Sequence, residues 1–129
     1  MQGSQVAPIR VFVADESRSV RLLLSSLLDE DERFTVVGEE SSGGAVLARC
    51  EEADLVVVDL VLSDMDAFTL IDELHARRPG LPIVVYAAAD PPYLRDAASA
   101  RGAAGYFTYE TDSAILLAGF AAATGADGS

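Results

Sequence analysis

The sequence predicts an α/β fold, a flavodoxin-like doubly wound five-stranded parallel sheet with five helices, and three observations carry that expectation. Five short runs rich in β-branched and aromatic residues alternate along the chain with five segments of helical periodicity. The run LVVV at 55–58 is apolar at every position, as in a strand covered on both faces. Two runs end in acid: Asp15 and Glu16 follow the first, and Asp59 follows the third. With right-handed crossovers, the order 2-1-3-4-5 has its switch point between the first and third strands, and ligands bind beyond the carboxyl ends of strands there. That order brings Asp15, Glu16 and Asp59 together.

Taken in order, IRVFVA at 9–14 is the first strand. Ser17 caps a helix carrying Val20, Leu23, Leu24, Leu27 and Leu28 at helical spacing, which stops in the charged stretch 29–33. FTVVGE at 34–39 is the second strand, and Ser42 or Gly43 opens a helix whose inner face holds Val46, Leu47 and Cys50. The third strand, 55–59, runs through a turn-prone segment at 63–66 into a helix with Leu70, Ile71 and Leu74 inward, stopped before Pro79 and Gly80. His75, with no second imidazole beside it, reads as a solvated surface residue. Pro82 introduces the fourth strand, IVVYA at 83–87; Asp90, Pro91 and Pro92 then suggest the cap and first turn of a helix at 93–100, ended by Gly102. The fifth strand is 105–109, and Thr111 or Asp112 caps a last helix to about Ala123 with Ile115, Leu116 and Phe120 inward. Residues 1–7 read as a flexible leader, 8–124 as the domain, and 125–129 as a tail or the start of a linker.

At 129 residues this is one domain with room for a proper core. A net charge of -12 and a pI near 4.2 argue against gripping a nucleic-acid backbone or an anionic membrane. Cys50 is the single cysteine, which excludes an intramolecular disulfide and suits a reducing compartment. No secretory signal is present, and the longest apolar run, at 114–123, is too short to span a bilayer; a cytoplasmic location is expected.

Three carboxylates at one sheet edge raise each other's pKa unless a cation intervenes. Mg²⁺, held by one or two carboxylates and accepting phosphate oxygens, suits such a site, and Asp59 as nucleophile could then take a phosphoryl group from a phosphodonor. The plainer reading is three solvated acids at loop starts on a very acidic protein.

The motifs FVADES, VVVDLVLSDMDAF and GAAGYF, in this order over nearly the whole chain, resemble a response-regulator receiver domain of the NarL-like kind. The resemblance implies Asp59 as phosphoacceptor, Asp15 and Glu16 as metal-binding acids, and the backbone carbonyl of Val61 as a further Mg²⁺ ligand. Tyr106 falls where receivers carry a switch aromatic. It also implies a histidine kinase or small phosphodonor as partner, self-phosphorylation without turnover, and a homodimer through helix 4, strand 5 and helix 5. A DNA-binding helix-turn-helix output domain would lie outside this chain, with no direct contact of these residues to nucleic acid.

The departures are pointed. Receivers carry Ser or Thr at the end of the fourth strand and Lys at the end of the fifth; here these are Ala87 and Tyr109, and the chain has no lysine. Tyr86 and Thr108 point to the opposite faces of their strands and cannot substitute. Ser63 and Ala67 stand where the family has Pro and Gly. Turning a switch from one in a hundred to ninety-nine in a hundred takes about 5.5 kcal/mol. A hydrogen bond to a charged group is worth roughly 1.5 to 3 kcal/mol, so losing two removes much of that leverage. The expectation is an atypical receiver with weakened phosphate-dependent switching, unless the Tyr109 phenol serves as the missing donor. The alternative is a phosphorylation-independent module for dimerisation or for binding a ligand or partner. A related phosphatase needs a second acid two residues after the nucleophile, where Val61 stands.

Overall fold

The computed structural model describes residues 7–125, so the expectations for the leader and the tail fall almost wholly outside the described residues. In chain order the elements are β1 (Ile9–Ala14), α1 (Arg18–Asp29), β2 (Phe34–Glu40), α2 (Gly43–Ala48), β3 (Leu55–Val58), α3 (Ala67–Arg77), β4 (Ile83–Ala87), α4 (Pro92–Ala100), β5 (Gly105–Thr108) and α5 (Ser113–Ala123). A short 3-10 turn, Cys50–Glu52, follows α2. All strand pairs are parallel and the order is β2-β1-β3-β4-β5, the flavodoxin-like order expected.

The strict alternation of strand side chains divides the core in two. Phe12, Ala14, Val56, Val58, Val85 and Ala87 face α2, α3 and α4. Val11, Val13, Val57, Val84 and Tyr86 face α1 and α5. β3 and β4 are buried at every position, because both faces are covered and neither strand is at an edge.

Local chemistry sets the helix ends. Ser17, Ser42, Asp66 and Asp112 each accept a backbone N–H of their helix's first turn, so every helix but α4 has a side-chain cap. α4 starts instead on a proline, whose missing N–H costs nothing at this position. It ends at Gly102, whose φ of +92° only glycine adopts without strain.

Four expectations need correction. Ile115 does not face inward: it is 64% exposed, and Leu117 fills the core in its place beside Leu116 and Phe120. Leu23 is likewise 65% exposed, since α1 turns Leu24 and Leu28 to the sheet. His75 is half-buried rather than solvated, its Nε2 3.1 Å from the Leu81 carbonyl. β5 ends at Thr108, so Tyr109 stands just past the strand.

Candidate functional site

β1 and β3 are neighbours in register, with Ala14 opposite Val58. The residues that follow them are therefore adjacent beyond the sheet edge. Asp15 and Asp59 stay tied to the ladder, the Asp59 N–H donating to the Ala14 carbonyl at 2.9 Å and the Asp15 N–H to the Glu40 carbonyl at 3.0 Å. Asp15 is buried, at 2% exposure, Asp59 is half-buried and Glu16 is exposed. Each inner carboxylate accepts one local amide: Ser17 N–H donates to Asp15 Oδ1 and Leu60 N–H to Asp59 Oδ1, both at 2.8 Å.

The two inner carboxyls are electrostatically strained. Burial, with the neighbouring charge of Asp59 adding to it, pushes Asp15 up to about 6, against the amide of Ser17 and the charge of Arg21, which favour ionisation. Burial also raises Asp59, and Glu16 adds to the effect. Burial is the larger cause for both, and the mutual charge expected where three acids share a switch point adds to it.

Arg21 is a participant that the sequence did not disclose. From α1 its Nη1 donates to the backbone carbonyls of Asp15 at 2.6 Å and Glu16 at 3.3 Å, and its Nε approaches Glu39 at 3.9 Å. The guanidinium thus fixes the acidic loop from behind. The signal for it was only a helical position four residues after the cap, which by itself does not say which way an arginine reaches.

At the β4 and β5 ends the substituted positions lie where the order of strands puts them. Ala87 is fully buried and offers only a methyl. Tyr109 donates its N–H to the Ala87 carbonyl at 3.1 Å and turns its ring onto Tyr86, the centroids 4.8 Å apart. Burial, with the charges of Asp59 and Asp15, pushes the Tyr109 phenol up to about 12, so it stays neutral at the edge of the acid pair. Tyr106 is buried, its hydroxyl donating to the Ala89 carbonyl at 2.7 Å and its ring lying under Arg95, 5.2 Å from the guanidinium carbon.

The loop after Asp59 is compact. Leu62 N–H donates to the Met65 carbonyl, Ala67 N–H to the Leu60 carbonyl, and Val61 bridges to Asp66. The Val61 side chain is exposed. Among the described residues no three Asp, Glu, His or Cys side chains form a group able to hold a metal by themselves. A cation here would rest on the Asp15 and Asp59 carboxylates, a loop carbonyl and water, a donor set of oxygen only that suits Mg²⁺. The fit is supported by the two carboxyls raised above their ordinary range, whose ionised forms a divalent charge would favour.

Residues 11–119 match the family described as the response regulator receiver domain. The chain is 31% identical over 109 residues to the "Probable transcriptional regulatory protein TcrX" of Mycobacterium tuberculosis, a match covering 84% of this chain and 46% of that protein. Among solved structures, a LuxR-family two-component response regulator from Aurantimonas sp. SI85-9A1 superposes with a TM-score of 0.83 at 23% identity, over 92% of this chain and 86% of the other. The signal receiver domain of the response regulator NarL from Mycobacterium tuberculosis gives 0.80 at 25% identity, over 93% and 99%. A CheY solved in complex with CheX, BeF3 and Mg²⁺, from Borrelia burgdorferi, has the same fold, with a TM-score of 0.81 at 18% identity over 89% of this chain and 88% of the other. The chain spans less than half the length of the curated relatives it matches. By the match over most of its length and by its strand order, this chain belongs to the response-regulator receiver domains of two-component systems.

Proposed function

We propose that this receiver accepts a phosphoryl group on Asp59 with Mg²⁺ at the acid pair, and that its coupling to the α4–β5–α5 face is weakened. The observation that carries the proposal is the pairing of the buried Asp15 with Asp59 at the β1 and β3 ends, beside a β4 end that carries only the Ala87 methyl. Receiver domains partner with histidine kinases, and in LuxR-type regulators often with DNA-binding output domains. For this chain a histidine kinase or a small phosphodonor is the proposed source.

An Asp59 carboxylate oxygen attacks phosphorus; its new P–O bond forms as the bond from phosphorus to the phosphohistidine nitrogen, or to the oxygen of acetyl phosphate, breaks. The freed imidazole or acetate departs with the bonding pair. Bound Mg²⁺ supplies neutralisation of charge on the transferring group. Asp15, Glu16 and Asp59 would hold it, with the Val61 backbone carbonyl as a further ligand. Leu60 N–H and Ser17 N–H orient the two carboxylates. Arg21 holds the Asp15–Glu16 backbone in place. The Tyr86–Tyr109 pair covers the side where receivers present a lysine.

Weakened switching follows from what Ala87 and Tyr109 lack. Ala87 offers the phosphoryl group no hydroxyl, and Tyr109 offers a neutral phenol stacked on Tyr86 in place of the ammonium that draws the distant face into register with the site. Tyr106 is already inward, its hydroxyl satisfied by Ala89. A homodimer through α4, β5 and α5 is proposed to form irrespective of phosphate.

The test is intact mass after incubation with Mg²⁺ and acetyl phosphate, beside Asp59→Asn. The proposal expects one added phosphoryl group on the parent and none on the variant. No gain on the parent, under conditions that label an ordinary receiver, would reject it in favour of an interaction module indifferent to phosphate.

A further inference from the structure

The β3–α3 loop that follows Asp59 is latched to α2. Ser63 N–H donates to the Ser41 carbonyl at 3.0 Å. The Asp64 carboxylate accepts both first amides of α2, from Gly43 N–H on Oδ1 at 2.7 Å and from Gly44 N–H on Oδ2 at 3.0 Å. Met65 closes the joint: a Cβ on Gly43 would stand 2.5 Å from its sulfur, so the methionine side chain packs directly on the first residue of α2. The third free amide, of Ala45, is taken by Ser42 Oγ at 3.2 Å.

The cap of α2 is therefore largely supplied from outside the helix, by the loop that carries Val61. A helix of six residues does not stand on its own propensity, and its first turn depends on these two charge-assisted hydrogen bonds. Its far end is also held from elsewhere, where Arg77 Nη1 donates to the Leu47 carbonyl at 3.0 Å. Toward α4 the corresponding link is a methyl group at Ala87, and the Tyr106 hydroxyl is occupied by Ala89.

We propose that α2, through Asp64 as a positioning residue, is the element that responds to occupancy of the acid pair, in place of α4. This rests on the metal-binding part of the proposed function. Any displacement of residues 60–65 as the Val61 carbonyl takes up a ligand pulls on the Gly43 and Gly44 amides directly.

The experiment is a Mg²⁺ titration of ¹⁵N-labelled protein followed by amide resonances, with the dissociation constant measured separately by calorimetry. In the parent, Gly43 and Gly44 are expected to shift together with residues 60–66, while Leu94 and Tyr106 do not. In Asp64→Ala the Gly43 and Gly44 response is lost, although the dissociation constant stays within roughly threefold, a change under about 1 kcal/mol. Asp64→Asn, which keeps one acceptor, restores part of the response and serves as the second variant should the alanine chain prove poorly folded by circular dichroism. An undiminished response in both variants, or a response of Leu94 and Tyr106 without Gly43 and Gly44, overturns the inference. Mg²⁺ binding with a silent α2 overturns it alone; no Mg²⁺ binding overturns it together with the metal role proposed above.

Discussion

Asp15 is the residue at which burial and charge meet most directly, and its titration has a definite sign. Its folded-state value of about 6 lies above the ordinary 3.8, so the native state holds its proton more tightly than the unfolded chain does. Burial raises it most, Asp59 and Glu16 add to that, and the Ser17 amide and Arg21 oppose it; its charge in turn raises Tyr86 and Tyr109. Its contribution to stability is present in full below the unfolded value and is lost as pH rises through the folded one. Without metal, stability should fall by up to about 2 kcal/mol between pH 4 and pH 6 from this group, measured by urea denaturation. Asp15→Asn should flatten that slope and be the more stable protein at pH 7. It should also forfeit the stabilisation that Mg²⁺ gives the parent, about 2.7 kcal/mol at a hundredfold excess over the dissociation constant.

A second residue-scale prediction concerns the missing donors. The double variant Ala87→Thr and Tyr109→Lys should show a larger phosphate-driven change than the parent. At roughly 1.5 to 3 kcal/mol for each hydrogen bond to the phosphoryl group, the shift in the population ratio should exceed about tenfold. An unchanged response in amide spectra after acetyl phosphate would place the lost coupling elsewhere than at these two positions.

At the scale of elements, α5 shows what periodicity can and cannot tell. The segment SAILLAGFAAA carries no charge, so its inner face could not be chosen by polarity, and Ile115 was assigned inward where Leu117 goes. The β-strands were easier: LVVV and IVVYA are apolar throughout because both faces are covered, and their bounds follow from composition. Asp15, Glu16 and Asp59 were legible for the same reason, since a strand's end fixes where the next side chain stands. Arg21, the Tyr86–Tyr109 pair and the Asp64 latch were not, because each joins elements through a side chain whose direction only the folded chain sets. Packing of α5 gives its own test. Gly119 abuts the Phe107 ring, where a Cβ would stand 2.5 Å away, and that ring is itself packed edge-on to Phe120 at 5.4 Å. Alanine improves helix propensity by about 1 kcal/mol, but overpacking costs about 1 to 3 kcal/mol. Gly119→Ala should therefore lower the melting temperature rather than raise it, and a rise would mean that Phe107 yields freely.

Over the whole molecule, a receiver fold with its acid pair in place is joined to a β4–β5 edge that carries Ala87 and Tyr109, and the proposed function makes chemistry and switching separable here. The chain has four tyrosines, and they sit where the distinction can be read. Tyr86 and Tyr109 adjoin the acids, Tyr106 is buried against β4 and the loop that follows it, and Tyr93 is 72% exposed on α4. The most direct measurement is the ¹⁹F spectrum of protein labelled with 3-fluorotyrosine, recorded before and after Mg²⁺ and acetyl phosphate, with the added phosphoryl group verified by mass. The expected result is a shift at Tyr86 and Tyr109 with Tyr106 unmoved. A shift of Tyr106 that follows the extent of phosphorylation would contradict the separation of chemistry from switching on which the proposed function rests.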